Sequence, residues 1–565
     1  MKTKQDLIQI CQRIQGRGYP AYKDCRGEYT CPSYILSIDH VQGDPFAAPS
    51  DVSIRVPNTF PKKFHDTKYR RVSLEDRLLR FFVKQLKDDP FRGKGSGKSG
   101  VISISKPKQE VLERSAIRVE EETITLRFHV GFPANGRKVL SLELLRILFE
   151  YLPSKIESAL FYEKLSETDR EALMIAHSLA DDQYALRAAI KEKGLVAFVA
   201  NGSILPRKSG VSQKPMEEAV PFLSPSSLEV KIVLPHRKEI KGMGIPKGIT
   251  LIIGGGYHGK STLLMALERG IYDHIDGDGR EFVVCDPTAI KSRAEDGRSV
   301  HNDFIETFIR DLPNHKSTKD FSTEDASGST SQAASVSESL EAGCKLLLMD
   351  EDTSAANFMV RDALMQKVVH RDQEPIVPLV DRIEQLYEME GCSTILVAGS
   401  SGAFFEVADL VIQMDQYIPL NVTDRAKEMA LAYPSLCSPH TKEKPEAFYR
   451  KRVLLPGPIG SKDRIKVKTQ GLDAIILDQE PLDVRLIEQL IDPEQLPTLG
   501  AMVLKAHQKY IDGKRTLGEV ADLLMEEIEK RGLSVLGKRD FCQVRKQDFM
   551  AVMNRYRSQK MKQKR

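Results

Sequence analysis

The chain has no C-x-x-C pair among its eight cysteines, no apolar run of membrane-spanning length and no large excess of either charge. Each absence closes off a class. The cysteines, at 11, 25, 31, 285, 344, 392, 437 and 542, are too scattered for a zinc site or a disulfide framework. Several lie in apolar runs such as Phe282 to Cys285, so they read as reduced thiols. No stretch reaches the roughly 18 apolar residues of a spanning helix. The opening MKTKQDLIQICQRIQ has the spacing of an amphipathic helix, not of a signal peptide. The expectation is a soluble cytoplasmic protein with no membrane partner, or a mitochondrial one if the source is eukaryotic. A formal charge of +4 over 565 residues is close to neutral, so any nucleic-acid surface must come from local clustering of lysine and arginine. At this length about three or four domains are expected.

What the chain does have is LIIGGGYHGKSTLLMAL, Leu251 to Leu267. Gly254 to Ser261 reads G-x-x-x-x-G-K-S. The apolar run Ile249 to Ile253 supplies a strand before it, and Leu263, Leu264 and Leu267 mark one face of a helix after it. That is a P-loop in its proper context. Backbone N–H groups from Gly254, Gly255, Gly256, Tyr257, His258 and Gly259 would wrap phosphate oxygens, helped by the helix N-terminus where Thr262 lies. Lys260 would reach the β- and γ-phosphates, and the Ser261 hydroxyl would ligate Mg2+. A nucleoside triphosphate is the expected ligand.

About 90 residues on, CKLLLMDED (Cys344 to Asp352) is a buried-strand pattern ending in acids, the Walker B arrangement. Asp350 would hold Mg2+ through water, and Glu351 would polarise the attacking water. A second acid directly after the first marks P-loop enzymes that hydrolyse, as opposed to kinases or small GTPases.

A different loop, FRGKGSGKSG (Phe91 to Gly100), imitates a P-loop. Only three residues separate Gly93 from Gly97, and the strand Val101 to Ile104 follows the loop where it should precede it. Nucleotide binding is not expected there. Between Arg55 and Arg114, however, sixteen lysines and arginines face seven acids. Arg92, Lys94 and Lys98 are therefore candidate contacts to a phosphodiester backbone, on a chain that glycine keeps flexible, with Arg70, Arg71 and Phe91 nearby. The bland alternative is a solvated hairpin rim.

The pattern of elements is α/β, a P-loop core between two α+β regions. Residues 1–215 form the N-terminal region, with an unpatterned Pro- and Ser-rich link over 201–227. Residues 216–420 form the core, whose segment up to Leu312 turns helical after a charged loop. Residues 421–565 form the C-terminal region, ending in NRYRSQKMKQKR, a basic tail expected to be disordered.

FSTEDASGSTSQAASVSESLEAG (Phe321 to Gly343) is a small-residue loop opening a helix that leads to the Walker B strand. Ala326 to Thr330 resembles the L-S-G-G-Q signature of the ATP-binding-cassette (ABC) family, and DEDTSAAN (Asp350 to Asn357) resembles its D-E-P-T-S-A-L-D run. RAEDGR, FSTEDASGSTSQAA and DEDTSAANFM are similar to a soluble group, the predicted ATPases of the ABC class. That group occurs in bacteria and some eukaryotes and includes a trypanosome mitochondrial RNA-binding member associated with RNA editing.

The resemblance implies ATP and Mg2+ as cofactors and a homodimer in which Ser327, Gly328 and Ser329 of one copy cover the ATP on the other copy's P-loop. Departures are visible. The place of the ABC switch histidine reads ILVAGSSG, with Ser400 or Ser401 as the nearest substitute, and no Q-loop glutamine stands in RAEDGR, where Glu295 and Asp296 are the candidates for its role. No aromatic is evident for adenine stacking. Two readings follow. One is an ATPase acting on nucleic acid, RNA favoured, with Glu351 and Lys260 catalytic. The other is an ATP-gated nucleic-acid-binding module of negligible turnover. The acid pair Asp350-Glu351 favours the first.

Overall fold

Thr3 starts the first helix, Lys4–Ile14, by a reciprocal cap: its hydroxyl accepts from the Asp6 N–H at 3.3 Å, and its own N–H donates to the Asp6 carboxylate at 2.6 Å. The computed structural model describes residues 2–87, 90–361, 368, 374–399, 401–433, 443–457, 459, 465–537 and 540–564. The chain divides into two compact units, Met1–Asp181 with Arg539–Cys542 and Asp182–Lys538 with Gln543–Arg565.

In the smaller unit a mixed sheet runs in the order Lys2–Thr3, Gly27–Thr30, Ile35–His40, Ser50–Pro57, Thr123–Val130, Ile102–Ser103. Ser50–Pro57 and Thr123–Val130 pair antiparallel and alternate buried with part-exposed residues, so one face is sealed. The helices Lys68–Gln85 and Leu152–Leu160 pack within the same core, which holds Leu78, Phe82, Phe128 and Ile156.

The larger unit is built on a six-stranded sheet. Its order is Ile290–Lys291, Leu346–Asp350, Ser393–Val397, Ile249–Ile253, Leu410–Asp415, Ile418–Asn421, parallel except for the last strand. The four central strands are almost continuously apolar because both faces are covered. A second, antiparallel sheet joins Glu229–Ile232, Ile240–Pro246, Leu195–Ala200 and Val283–Cys285. Leu195–Ala200, read with the N-terminal region on sequence, thus pairs in the larger unit. C-terminal to the core, a three-stranded meander (Val467–Gln470, Ala474–Leu477, Glu480–Asp483) packs with helices Gln495–Lys505, Leu517–Arg531 and Lys546–Arg555.

Several sequence expectations change. The stretch before Leu312 is not helical. Arg298–Asp303 is a strand paired antiparallel with Phe321–Ala326, because its side chains are buried and its backbone needs a partner. The link 201–227 contains a hairpin, Arg207–Ser209 with Ser212–Pro215. The basic tail is ordered through Lys564: Met561–Gln563 pairs with Arg452–Leu454, Arg557 donates to the Gly297 and Glu324 carbonyls, and Lys564 Nζ faces Glu519. Its cations meet carbonyls and acids of the same unit, which a composition argument does not register. The seven described cysteines are buried and form no disulfide among the described residues; Cys437 lies outside them. Among the described residues no helix is long and apolar enough to cross a membrane.

Candidate functional site

Three adjacent parallel strands bring the site together at their C-terminal ends, where ligands of open α/β sheets collect. Ile249–Ile253 ends in the glycine loop. Leu346–Asp350 ends in the acids. Ser393–Val397, which lies between them, ends near Gly399.

Gly254 and Gly259 have no substitute. Gly254 has φ of 143°, and a Cβ there would lie 2.4 Å from the Met414 carbonyl oxygen. Gly259 has φ of 97°, and a Cβ would come within 3.0 Å of Tyr417. The helix Lys260–Arg269 starts immediately after, with its buried face on Leu263, Leu264 and Leu267. Lys260 Nζ donates to the carbonyls of Gly254 and Gly255 at 2.6 and 2.8 Å. Ser261 is exposed in the first turn of the helix, and Thr262 is half-buried beside it. Gly255, Gly256 and Tyr257 form the exposed crest, with Tyr257 at φ of 64°.

The P-loop leans on the hairpin between Leu410–Asp415 and Ile418–Asn421. Gln416 and Tyr417 take φ of 46° and 71°, as a two-residue turn of the primed type requires. The Gln416 N–H donates to His258 Nδ1 at 3.0 Å, and the Tyr417 N–H donates to the His258 carbonyl at 3.1 Å. Asp415 Oδ1 lies 3.1 Å from the same Nδ1. A lone pair on that nitrogen serves Gln416 and a proton on it serves Asp415, so one contact excludes the other. This hairpin was not legible in the sequence, because its turn carries neither Asn-Gly nor Asp-Gly.

Asp350 is buried at its strand end and accepts from the Asp352 N–H at 3.2 Å; burial pushes its carboxyl above the ordinary value. Glu351 Oε2 accepts from the Gly399 N–H at 2.6 Å. A Cβ on Gly399 would lie 3.9 Å from Lys260 Nζ. Gly399 therefore stands next to both Glu351 and Lys260, in the stretch where the sequence lacks a histidine. Ser401 accepts from the Ala403 N–H at 3.2 Å; Ser400 lies outside the described residues. Ser261 and Asp350 offer only oxygen donors, the chemistry a magnesium ion takes while leaving positions to water and phosphate.

The serine-glycine segment lies elsewhere. Ser327 caps the helix Gly328–Glu341, its hydroxyl accepting from the Thr330 N–H at 3.4 Å. Ser329 donates to Asn357 Oδ1 at 2.6 Å, and the Gln332 amide reaches Ser354 and the Ala355 N–H, both at 2.9 Å. A Cβ on Gly328 would lie 3.3 Å from Asp296 and 3.6 Å from Ala355. The segment is thus locked to residues 354–357. Among the described residues, no hydrogen bond or ion pair joins Ser327, Gly328 or Ser329 to residues 254–262. Glu295 is engaged by Arg555, at 3.1 Å from its Nε.

In the smaller unit, Arg92, Lys94 and Lys98 are exposed. Their loop is held, contrary to the expectation of a flexible chain. The Ser96 N–H donates to the Ala134 carbonyl, the Lys98 N–H to Pro45 and the Gly100 N–H to Gly131, each at 2.8 Å. The glycines allow close packing: a Cβ on Gly97 would lie 2.3 Å from the Pro45 oxygen. The neighbouring candidates are committed. Arg70 is bidentate to Asp181 at 2.7 and 3.0 Å, Arg71 pairs with Glu75 and Glu113, and Phe91 stacks edge-on against Tyr151.

Family models match most of the chain. The P-loop domain of the ABC ATPase model covers residues 169–450, the N-terminal model for ATPases of the ABC class covers 4–163, and the MRB1590 C-terminal domain covers 466–562. An uncharacterized protein of Methanocaldococcus jannaschii, MJ1628, is 31% identical over 315 residues, which is 52% of this chain and 69% of the relative. Among solved structures, cbiO1 of Clostridium perfringens, part of the ABC transporter complex cbiONQ, aligns at 13% identity and a TM-score of 0.25. It covers 42% of this chain and 95% of that one, a likeness too low to add to the fold. The P-loop, the acid-ended strand and the matches along the length agree: this chain belongs to the ATPases of the ABC class.

Proposed function

We propose that the protein hydrolyses ATP at the interface of a homodimer and uses the closure to hold nucleic acid, RNA in the first place. One observation carries the dimer. The P-loop and Glu351 share the C-terminal end of the sheet, while Ser327, Gly328 and Ser329 are fastened to residues 354–357 and, among the described residues, make no hydrogen bond or ion pair to their own P-loop. Each copy then holds two half-sites, and a second copy completes them.

In this reading Gly254 to Thr262 bind the phosphates, and Lys260 leaves the loop carbonyls for the γ-phosphate. Glu351, oriented by the Gly399 N–H, takes the proton of the attacking water. Ser261 and Asp350 would hold Mg2+, which when bound neutralises charge developing on the phosphates. Ser327, Gly328 and Ser329 of the other copy meet the γ-phosphate and exclude water. Tyr417, half-exposed against Gly259, is the aromatic offered to the base. The division of labour is by unit: nucleic acid on the smaller unit and ATP on the parallel sheet of the larger one. Exposed Arg92, Lys94 and Lys98 on a held loop support the nucleic-acid part, as does the resemblance to a group with an RNA-binding member.

A second reading is a nucleotide-gated clamp of negligible turnover. Gly399, where a switch histidine would be sought, favours it, since a backbone N–H cannot relay a proton. One variant separates the two. Glu351→Gln keeps Asp350 and nucleotide binding but removes the base, worth about 100- to 10,000-fold in rate. With ATP it is expected to elute as a trapped dimer and to lose turnover. An elution profile and a turnover both equal to wild type would refute the hydrolytic dimer. A wild-type turnover already at the variant's level would leave the clamp.

A further inference from the structure

The strands that end at the nucleotide site begin at another cavity. It measures about 520 Å³ and lies at the N-terminal end of the parallel sheet in the larger unit. Lys247 precedes Ile249–Ile253, Lys345 precedes Leu346–Asp350, and Ser393 opens Ser393–Val397; all three residues line it. Five residues of strand separate it from the P-loop, roughly 16 Å at 3.3 Å per residue. It is therefore a place apart from the ATP site and belongs to no step assigned above.

Its chemistry is lopsided. Arg187, Lys191, Lys247 and Lys345 line it against one carboxylate, Asp286. Asp286 is spent on its own turn: Oδ1 accepts from the Thr288 N–H at 2.8 Å and from the Thr288 hydroxyl at 2.6 Å. Arg187 is met by Asp273 at 2.8 Å. Lys345 Nζ donates to the Glu390 carbonyl at 2.8 Å and also feels the Glu390 carboxylate, whereas Lys191 and Lys247 are exposed. Three ammonium groups thus surround the opening, and two of them, Lys191 and Lys247, make no ion pair among the described residues.

Between them the wall is apolar, formed by Ile190, Val196 and Pro287. It is also knitted by backbone bonds: the Lys247 N–H to the Gly194 carbonyl at 3.2 Å, the Asp286 N–H to Val196 at 2.8 Å, the Thr394 N–H to Gly248 at 3.0 Å. A preformed cavity of this size suits one small organic ligand.

We infer that this cavity binds a small organic anion, one with an apolar body seated on Ile190, Val196 and Pro287 and a phosphate or carboxylate head among Lys191, Lys247 and Lys345. The site is independent of the P-loop, and both can be filled at once.

Phenyl phosphate and benzoate are the two probes, one for each head group, titrated calorimetrically into the full-length protein with its P-loop saturated by a non-hydrolysable ATP analogue. The expected result is one saturable site per chain for at least one probe, with benzyl alcohol, which has the body but no charge, binding at least tenfold more weakly. Lys191→Glu combined with Lys247→Glu is expected to weaken the probe at least tenfold while nucleotide affinity stays as it was. Both lysines are exposed, so the variant keeps its core, and thermal unfolding checks this. Absence of saturable binding for both probes, an affinity untouched by the double reversal, or displacement of the probe by the nucleotide would each overturn the inference.

Discussion

Replacing Arg555 by methionine is expected to destabilise the larger unit by about 3 to 5 kcal/mol at neutral pH, the usual penalty for stripping one partner from a buried ion pair. Arg555 Nε lies 3.1 Å from Glu295, its Nη2 bonds the other carboxylate oxygen, and the two side chains are only 10% and 8% exposed. The alternative partner, Arg298, stands 4.0 Å away and is already drawn to Glu338. Burial alone would raise the Glu295 carboxyl; Arg555, with Arg298, holds it below the ordinary value. A depressed carboxylate contributes stability above its unfolded pKa, near 4.3, and loses it as pH falls. In the variant the uncompensated charge is itself removed by protonation. The gap between wild type and variant should therefore be full at pH 7.5, shrink as pH falls, and close only below the depressed folded-state pKa of Glu295, well under about pH 4.3. Two units make global two-state unfolding unsafe, so hydrogen exchange over residues 293–298 and 546–555 is the better assay. Glu295→Gln combined with Arg555→Met should recover much of the loss. A gap below about 1 kcal/mol, or one indifferent to pH, would refute the reasoning. The link bears on function, because the Glu295 N–H donates to Ser331 Oγ at 2.8 Å on the helix that Ser327 caps.

His129 bridges Asp51 at 3.0 Å and Asp540 at 2.6 Å, and those bonds push its pKa up to about 10. A raised histidine stabilises fully below about pH 6.5 and loses that contribution as pH climbs toward 10. His129→Gln should accordingly cost about 2 to 3 kcal/mol in the smaller unit at pH 6 and little at pH 10, by denaturant midpoints; an equal cost at both would contradict the pairing. Changing Lys94 and Lys98 to alanine should flatten the salt dependence of single-strand binding by about 1.4, from roughly 0.7 per phosphate contact, with RNA and DNA run in parallel. An unchanged slope returns the loop to a solvated rim. Ser327→Arg should abolish ATP-driven dimerisation in gel filtration yet leave ATP binding intact, and mixing it with Lys260→Ala should restore one composite site. Loss of nucleotide binding in Ser327→Arg alone would put that segment in its own chain's pocket.

The sequence by itself determined the P-loop, the acid-ended strand and the family, since each is written in contiguous residues: a glycine pattern between a strand and a helix, an apolar run closed by Asp350 and Glu351. A local pattern also placed the strand after the glycine-rich basic loop, found at Ile102–Ser103. Tertiary structure alone decided what long-range pairing controls. Gly399 meets Glu351 because Ser393–Val397 is inserted between two strands distant in sequence, an order no local spacing encodes. The hairpin at Gln416 and Tyr417 takes positive φ without glycine because P-loop contacts hold it there. Arg70 and Arg71 read as free cations until Asp181 and Glu113 are brought to them, and the basic tail read as disordered until Arg452–Leu454 gave it a strand to join. Charge in a sequence is counted per residue, but it is neutralised in space, and only the fold says by whom.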